Sequence, residues 1–275
     1  MSAVGDVKDQ AEQAQDSDVF DYAIRGGFVV YGVIHLALAW LALQIAFGHQ
    51  GKSASSKGAI QTLANQPGGD ILVWVITIGM FVLAIWRLLE AWVGHEYVQG
   101  SKKWRKKAVS LGKAIIYGSI GVSALGVATG SGGGKKSKGS THSFTAKVLD
   151  LPFGQFLVAA IGLAIIGYGL NMAYRGWTDK FLEHLDAEGK ASDASAFYRW
   201  VGKIGHIAKG AAMGAVGALF LYAAISHNAK KSGGLDQALQ KVASEPYGQI
   251  ILTAIAAGIA CYGLFCFARA RHLSR

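Results

Sequence analysis

Nearly charge-free apolar runs recur along the chain at 26–47, 71–93, 114–129, 153–174, 210–225 and 247–268, with polar stretches between them. Each run comes close to the ~20 residues that a helix needs to cross ~30 Å of hydrocarbon at ~1.5 Å per residue. None carries the polar stripe expected of a helix lying in the core of a water-soluble domain. The pattern therefore predicts six spanning helices. Composition agrees, since 52% of the residues are hydrophobic and only 16% charged, where soluble domains average about 25% charged. The expected fold class is an all-α polytopic membrane protein.

The chain has only 3 prolines, and all lie in one pattern, Pro-x-Gly-[Asp/Gln], at Pro67, Pro152 and Pro246. Aligning them without gaps superimposes Gly69, Gly154 and Gly248, then Ile76, Ile161 and Ile255, then Ala84, Gly169 and Gly263. Upstream of each proline is a short amphipathic stretch ("GAIQTLANQ", "SFTAKVLDL", "LDQALQKVASE"). Before that comes a further apolar run with a shared small position, after a one-residue shift, at Gly32, Gly118 and Gly210. The chain thus reads as three copies of a two-helix hairpin. A proline at the first helical turn wastes no hydrogen bond and ends the preceding segment. The glycine after it allows a tight turn or close packing. The motif marks the corner where a surface helix bends into a spanning one.

Two spans per copy give all three copies the same orientation, which predicts parallel repeats about a pseudo-threefold axis along the membrane normal. Of the 27 Lys and Arg, sixteen fall on the side shared by the chain termini and the 94–113 and 175–203 connections, nine on the other side, and Arg87 and Lys209 within spans. The positive-inside rule then puts both termini in the cytoplasm. The expected units are an acidic tail (1–24), hairpins at 25–93, 111–175 and 204–268, a basic linker at 94–110, a linker at 176–203 and a basic tail at 269–275. The acidic start argues against a cleaved signal peptide, so the first span is expected to be retained. Cys261 and Cys266, both in the last run, are too divergent on a helix to bridge.

The three-hairpin layout, the "GAIQTLANQPGGD" segment and the helix ending "AIWRLLEAW" resemble a bacterial membrane family known as domain of unknown function 1206. The resemblance covers roughly residues 20–270. Copies two and three depart from it by lacking the Arg-x-x-Glu of Arg87 and Glu90. It implies an architecture, and it carries over no activity and no functional residues.

Several polar groups stand out. His35 lies near the middle of the first span, where an ionisable side chain is a functional candidate; the alternative is an imidazole hydrogen-bonded between helices. Arg87 and Glu90, three apart, could form an ion pair. With Asn171, His206 and Lys209, and Lys113 at similar depth, they would line a polar vestibule, or else reach the headgroups by snorkelling. The run "KKWRKK" supplies Lys102, Lys103, Arg105, Lys106 and Lys107, as an anionic-lipid patch or simply an orientation signal. Gly210 and Gly214 form a Gly-x-x-x-Gly, read as packing within the chain before homo-oligomerisation. The segment 130–142 reads as a flexible loop.

The sequence has no His-Glu-x-x-His, Cys-x-x-Cys or nucleophile elbow. No enzyme activity, cofactor or metal is expected, and no nucleic-acid module accompanies the basic run. The expected partners are the bilayer and anionic headgroups at its cytoplasmic face. The functional expectation is small-solute or ion permeation between the hairpins. The alternative is a non-transporting scaffold that binds membrane proteins or anionic lipids.

Overall fold

The computed structural model describes residues 18–48, 53–93, 100–131 and 136–273; most of the acidic tail and the connection at 94–99 lie outside them. The helices are α1 (Asp18–Ala46), α2 (Ser56–Ala64), α3 (Gly69–Trp92), α4 (Ser101–Ala128), α5 (Lys136–Leu149), α6 (Gly154–Trp177), α7 (Ala187–Ala191), α8 (Ser195–Ile225), α9 (Leu235–Ala243) and α10 (Gly248–Arg271). Six of them, α1, α3, α4, α6, α8 and α10, are long and apolar enough to span. Even the shortest of these, at 24 residues, is about 36 Å long. The chain is an all-α, multi-pass membrane protein.

Helices α4 and α8 start at Ser101 and Ser195, well before the apolar runs that begin at 114 and 210. The "KKWRKK" run is therefore the opening turns of α4. Once a helix is nucleated by its apolar segment, adding hydrated Lys, Arg and Ala residues costs little. The same logic extends α5 back to Lys136, into the segment expected to be a loop.

The proline corner is the same in all three copies. The third residue of the turn has positive φ, 75° at Gly68 and 61° at both Phe153 and Tyr247. The amides of Gly69, Gly154 and Gly248 donate to the carbonyls of Gln66, Leu151 and Glu245, each at 2.8 Å. That is the signature of a type II turn with proline at its second position. The proline thus stands two residues before the helix, not in its first turn. The following glycine serves close approach: a Cβ on Gly69, Gly154 or Gly248 would collide with carbonyls of the preceding surface helix.

Each hairpin packs on the next, α3 on α4, α6 on α8 and α10 on α1, which closes a pseudo-threefold ring. The same two repeat positions meet at every seam. A Cβ built on Gly169 would lie 2.6 Å from the Gly210 carbonyl oxygen, and one on Gly32 2.9 Å from that of Gly263. At the third seam a Cβ on Gly118 would touch the Cβ of Ala84 at 4.0 Å. Small residues here let backbones approach, and the Gly210 stripe is used inside the chain.

Within hairpins the copies diverge. α1 packs on α3 and α8 on α10, whereas α4 and α6 hardly touch. The surface helices follow suit: α2 bridges α1, α3 and α4, and α9 bridges α8, α10 and α1, but α5 rests on α6 and the Ala229–Lys231 turn.

Candidate functional site

We call the end of the bundle where α1 begins and α10 finishes the basic end. The other half is solid. Ile34, Leu41, Ile76, Met80, Leu252 and Ile259 belong to one apolar cluster there, each at most 2% exposed, and Ile60 of α2 and Leu239 of α9 cap it.

At mid-bundle this core meets a polar layer. The register that pairs Gly32, Gly118 and Gly210 also superimposes the residues just before them, Tyr31, Tyr117 and Lys209. The proline register likewise superimposes Leu83, Tyr168 and Tyr262. Lys209 Nζ donates to Tyr31 Oη at 3.0 Å and sits 3.9 Å from the centre of the Tyr262 ring. Such a desolvated cation–π contact is worth about 2 kcal/mol. His35 lies behind Lys209. Its Nδ1 is 2.8 Å from the Tyr31 carbonyl, which can only accept, so Nδ1 carries the hydrogen and Nε2 accepts from Lys209 Nζ at 3.3 Å. Its ring packs against Tyr31 and Tyr262, with centroids 4.3 and 4.9 Å away. His206 makes the same Nδ1 bond, to the Gly202 carbonyl at 2.7 Å, and stacks on Phe181.

Nearer the basic end lies a second set. Arg87 pairs with Glu90, and Glu90 also accepts from Ser110 Oγ of α4 at 2.8 Å. Arg87 is 3% exposed and lies against Trp86, so it is buried by aromatic stacking and does not snorkel. Arg269 lies 4.2 Å over the Phe28 ring, and its Nε has no hydrogen-bond partner among the described residues. Glu90, Arg175 and Arg269 share one repeat position.

Between the two sets is a cavity of about 110 Å³. Lys113, Arg175, Lys209 and Arg269 line it, along with tyrosines 31, 117, 168 and 262, and no carboxylate is among its lining residues. Of the residues singled out in the sequence, Lys113, Asn171, His206 and Lys209 line it. His35 stands one layer behind, and the Arg87–Glu90 pair is turned towards α4 through Ser110. Arg175, Arg269 and the four tyrosines were not singled out, although the repeat register that aligned the glycines aligns them too. The basic run lies apart from the cavity. Lys102, Arg105 and Lys106 are exposed and Lys103 half-buried, while Lys107 Nζ caps the carbonyl of Trp92 at the end of α3, at 2.9 Å.

Comparison with known proteins adds a family. A family model described as Domain of Unknown Function (DUF1206) matches three times, at residues 26–94, 108–179 and 204–272. The chain is also similar to an uncharacterized protein, YxxB, of Bacillus subtilis (strain 168), with 29% identity over 242 residues, covering 88% of this chain and 86% of the relative. No solved structure matches.

Proposed function

We propose that this chain, which belongs to the family described as Domain of Unknown Function (DUF1206), binds an anionic ligand in its basic cavity without conducting it across the membrane. It would work as a binding protein, not an enzyme, in a bacterial inner membrane with both termini cytoplasmic. The observation that carries this reading is the charge of the cavity: Arg175 has Glu183 at 3.7 Å, while Lys113, Lys209 and Arg269 face the cavity with no carboxylate among its lining residues. A cation held out of water without a counter-charge costs several kcal/mol, and an anion in the cavity removes that cost. The blind end supports binding over passage, because the apolar cluster around Ile34, Ile76 and Leu252 fills the bundle beyond Lys209. The packing of His35 behind Lys209 points the same way, since a conducting path would bring it to water.

Permeation is the second reading, favoured by a cavity that reaches mid-span on the repeat axis. The two are separated by measuring binding and flux on one preparation. Inorganic pyrophosphate should raise the thermal stability of the purified wild type and leave Lys209→Met unmoved, while proteoliposomes show no anion uptake above empty vesicles. Uptake that depends on Lys209 would replace the binding reading with permeation. Absence of any anion-induced shift would remove the binding reading. Orientation is tested separately: cysteines at Ser131 and Lys230, both exposed, should label from outside cells, and one at Lys106 should not.

A further inference from the structure

We propose that the anion is the phosphate headgroup of a membrane lipid, which enters sideways from the bilayer through a slot between α4 and α6. The inference rests on the anion-binding reading above and names the ligand class.

The slot follows from a single repeat position. In the first hairpin that position is Gly27, where a Cβ would lie 2.6 Å from Leu83 Cγ and 3.0 Å from the Gly79 carbonyl of α3. In the third it is Gly205, where a Cβ would lie 2.5 Å from the backbone nitrogen of Tyr262 on α10. Both glycines let the two spans of a hairpin close on each other. In the second hairpin the same position is Lys113, a side chain that the closed arrangement has no room for. There α4 and α6 stand apart, and Lys113 lines the cavity between them. Among the described residues no surface helix bridges the gap, because α5 packs on α6 without comparable contact to α4.

The cavity reaches the outside of the bundle through this gap. Among its lining residues, Val109 and Ile116 of α4 are 50% and 43% exposed, and Asn171 of α6 is exposed as well. Ile116 and Asn171 lie well inside their spans, so what meets the opening is hydrocarbon. α4 and α6 are also the least buried of the six spans.

Size and chemistry then select the ligand. A cavity of about 110 Å³ suits a small group such as a phosphate and not a whole lipid. The acyl chains must stay in the slot against apolar side chains such as Ile116. Arg175 and Arg269 stand two residues from the ends of their helices, near headgroup depth. Arg269 is nine-tenths buried and offers an Nε with no partner among the described residues. Glu90 is already taken by Arg87 and Ser110 and the exposed Glu183 stands by Arg175, which leaves Lys113, Lys209 and Arg269 to a ligand. Guanidinium and ammonium groups around a phosphate are the usual charge-assisted donors.

The test uses the full-length protein in neutral detergent, titrated with short-chain phosphatidylglycerol, phosphatidylcholine or glycerol 3-phosphate and read by native mass spectrometry and thermal shift. Wild type should retain one phosphatidylglycerol per chain and prefer it to phosphatidylcholine. Lys113→Gln should bind it about tenfold more weakly, the loss of one charge-assisted hydrogen bond. Ile116→Trp, at a half-exposed position on the cavity wall, should obstruct the slot and weaken lipid binding by a larger factor than glycerol 3-phosphate binding. Equal binding of the lipid and of glycerol 3-phosphate, with Ile116→Trp affecting neither, would overturn lateral entry and leave the anion-binding reading standing. No binding of either would remove both.

Discussion

The first and second hairpins share a corner and a register, and the same repeat positions form their seams, yet one is shut and the other open. In the first, Gly27 brings α1 against α3 and α2 lies across both. In the second, Lys113 takes the glycine's place, α4 and α6 part, and α5 covers only one of them. The third hairpin sides with the first through Gly205. Threefold repetition supplies a closed frame, and a different residue at one position in one copy accompanies the parting of that copy's two spans. The opening is thereby confined to a single hairpin, while the cavity behind it takes its walls from all three copies.

The comparison can be broken most severely at the glycine. Gly27→Lys would force a charged chain between α1 and α3 and should cost at least ~3 kcal/mol, seen as loss of monodisperse protein after extraction. Normal yield and melting would mean that the glycine is not what shuts the first hairpin. Next in size is Gly169→Leu at the α6–α8 seam, expected to cost about 2–3 kcal/mol in thermal unfolding. Gly118→Ala, at the seam where a Cβ has 4.0 Å of room, should be within ~0.5 kcal/mol of wild type. Similar losses from both would deny that the seams differ. Lys113→Gly should alter stability by only about 1 kcal/mol, but it should slow deuterium uptake along α6 as the slot narrows. Faster uptake would contradict the wedge. The smallest effect belongs to Pro152→Ala, below about 1 kcal/mol, because the turn needs the allowed φ of its second residue and alanine can adopt it.

The spans, the corners and the seam residues were legible because each leaves a mark that repeats: an apolar run, a proline, a small side chain. The cavity was harder to read. Arg87 sits close enough to a helix end to be read as snorkelling and Arg269 falls in the basic tail, and what buries them is Trp86 and Phe28. Lys113 reads as one more basic residue near the interface until it is set beside Gly27 and Gly205. Its meaning lies in what the other copies lack, and only the helix spacings reveal that. The early starts of α4 and α8 escaped notice because hydrated basic residues continue a helix without any apolar signal.

The seam between α10 and α1 sets an order of events for making the protein. Its contacts are the most distant in the chain: Gly32 meets Gly263, and Arg25 Nη1 donates to the Arg271 carbonyl across 246 residues. Ala84 and Gly118, at the first seam, are neighbours by comparison. During synthesis α1 enters the bilayer early and waits for a partner that is made last. Until then its small-residue groove and His35 stand against lipid. Contacts of such long sequence separation form slowly, so closing the ring should be the late step of assembly. A chain permuted to join α10 directly to α1 would have to leave some other seam until last, and so would exchange one waiting surface for another.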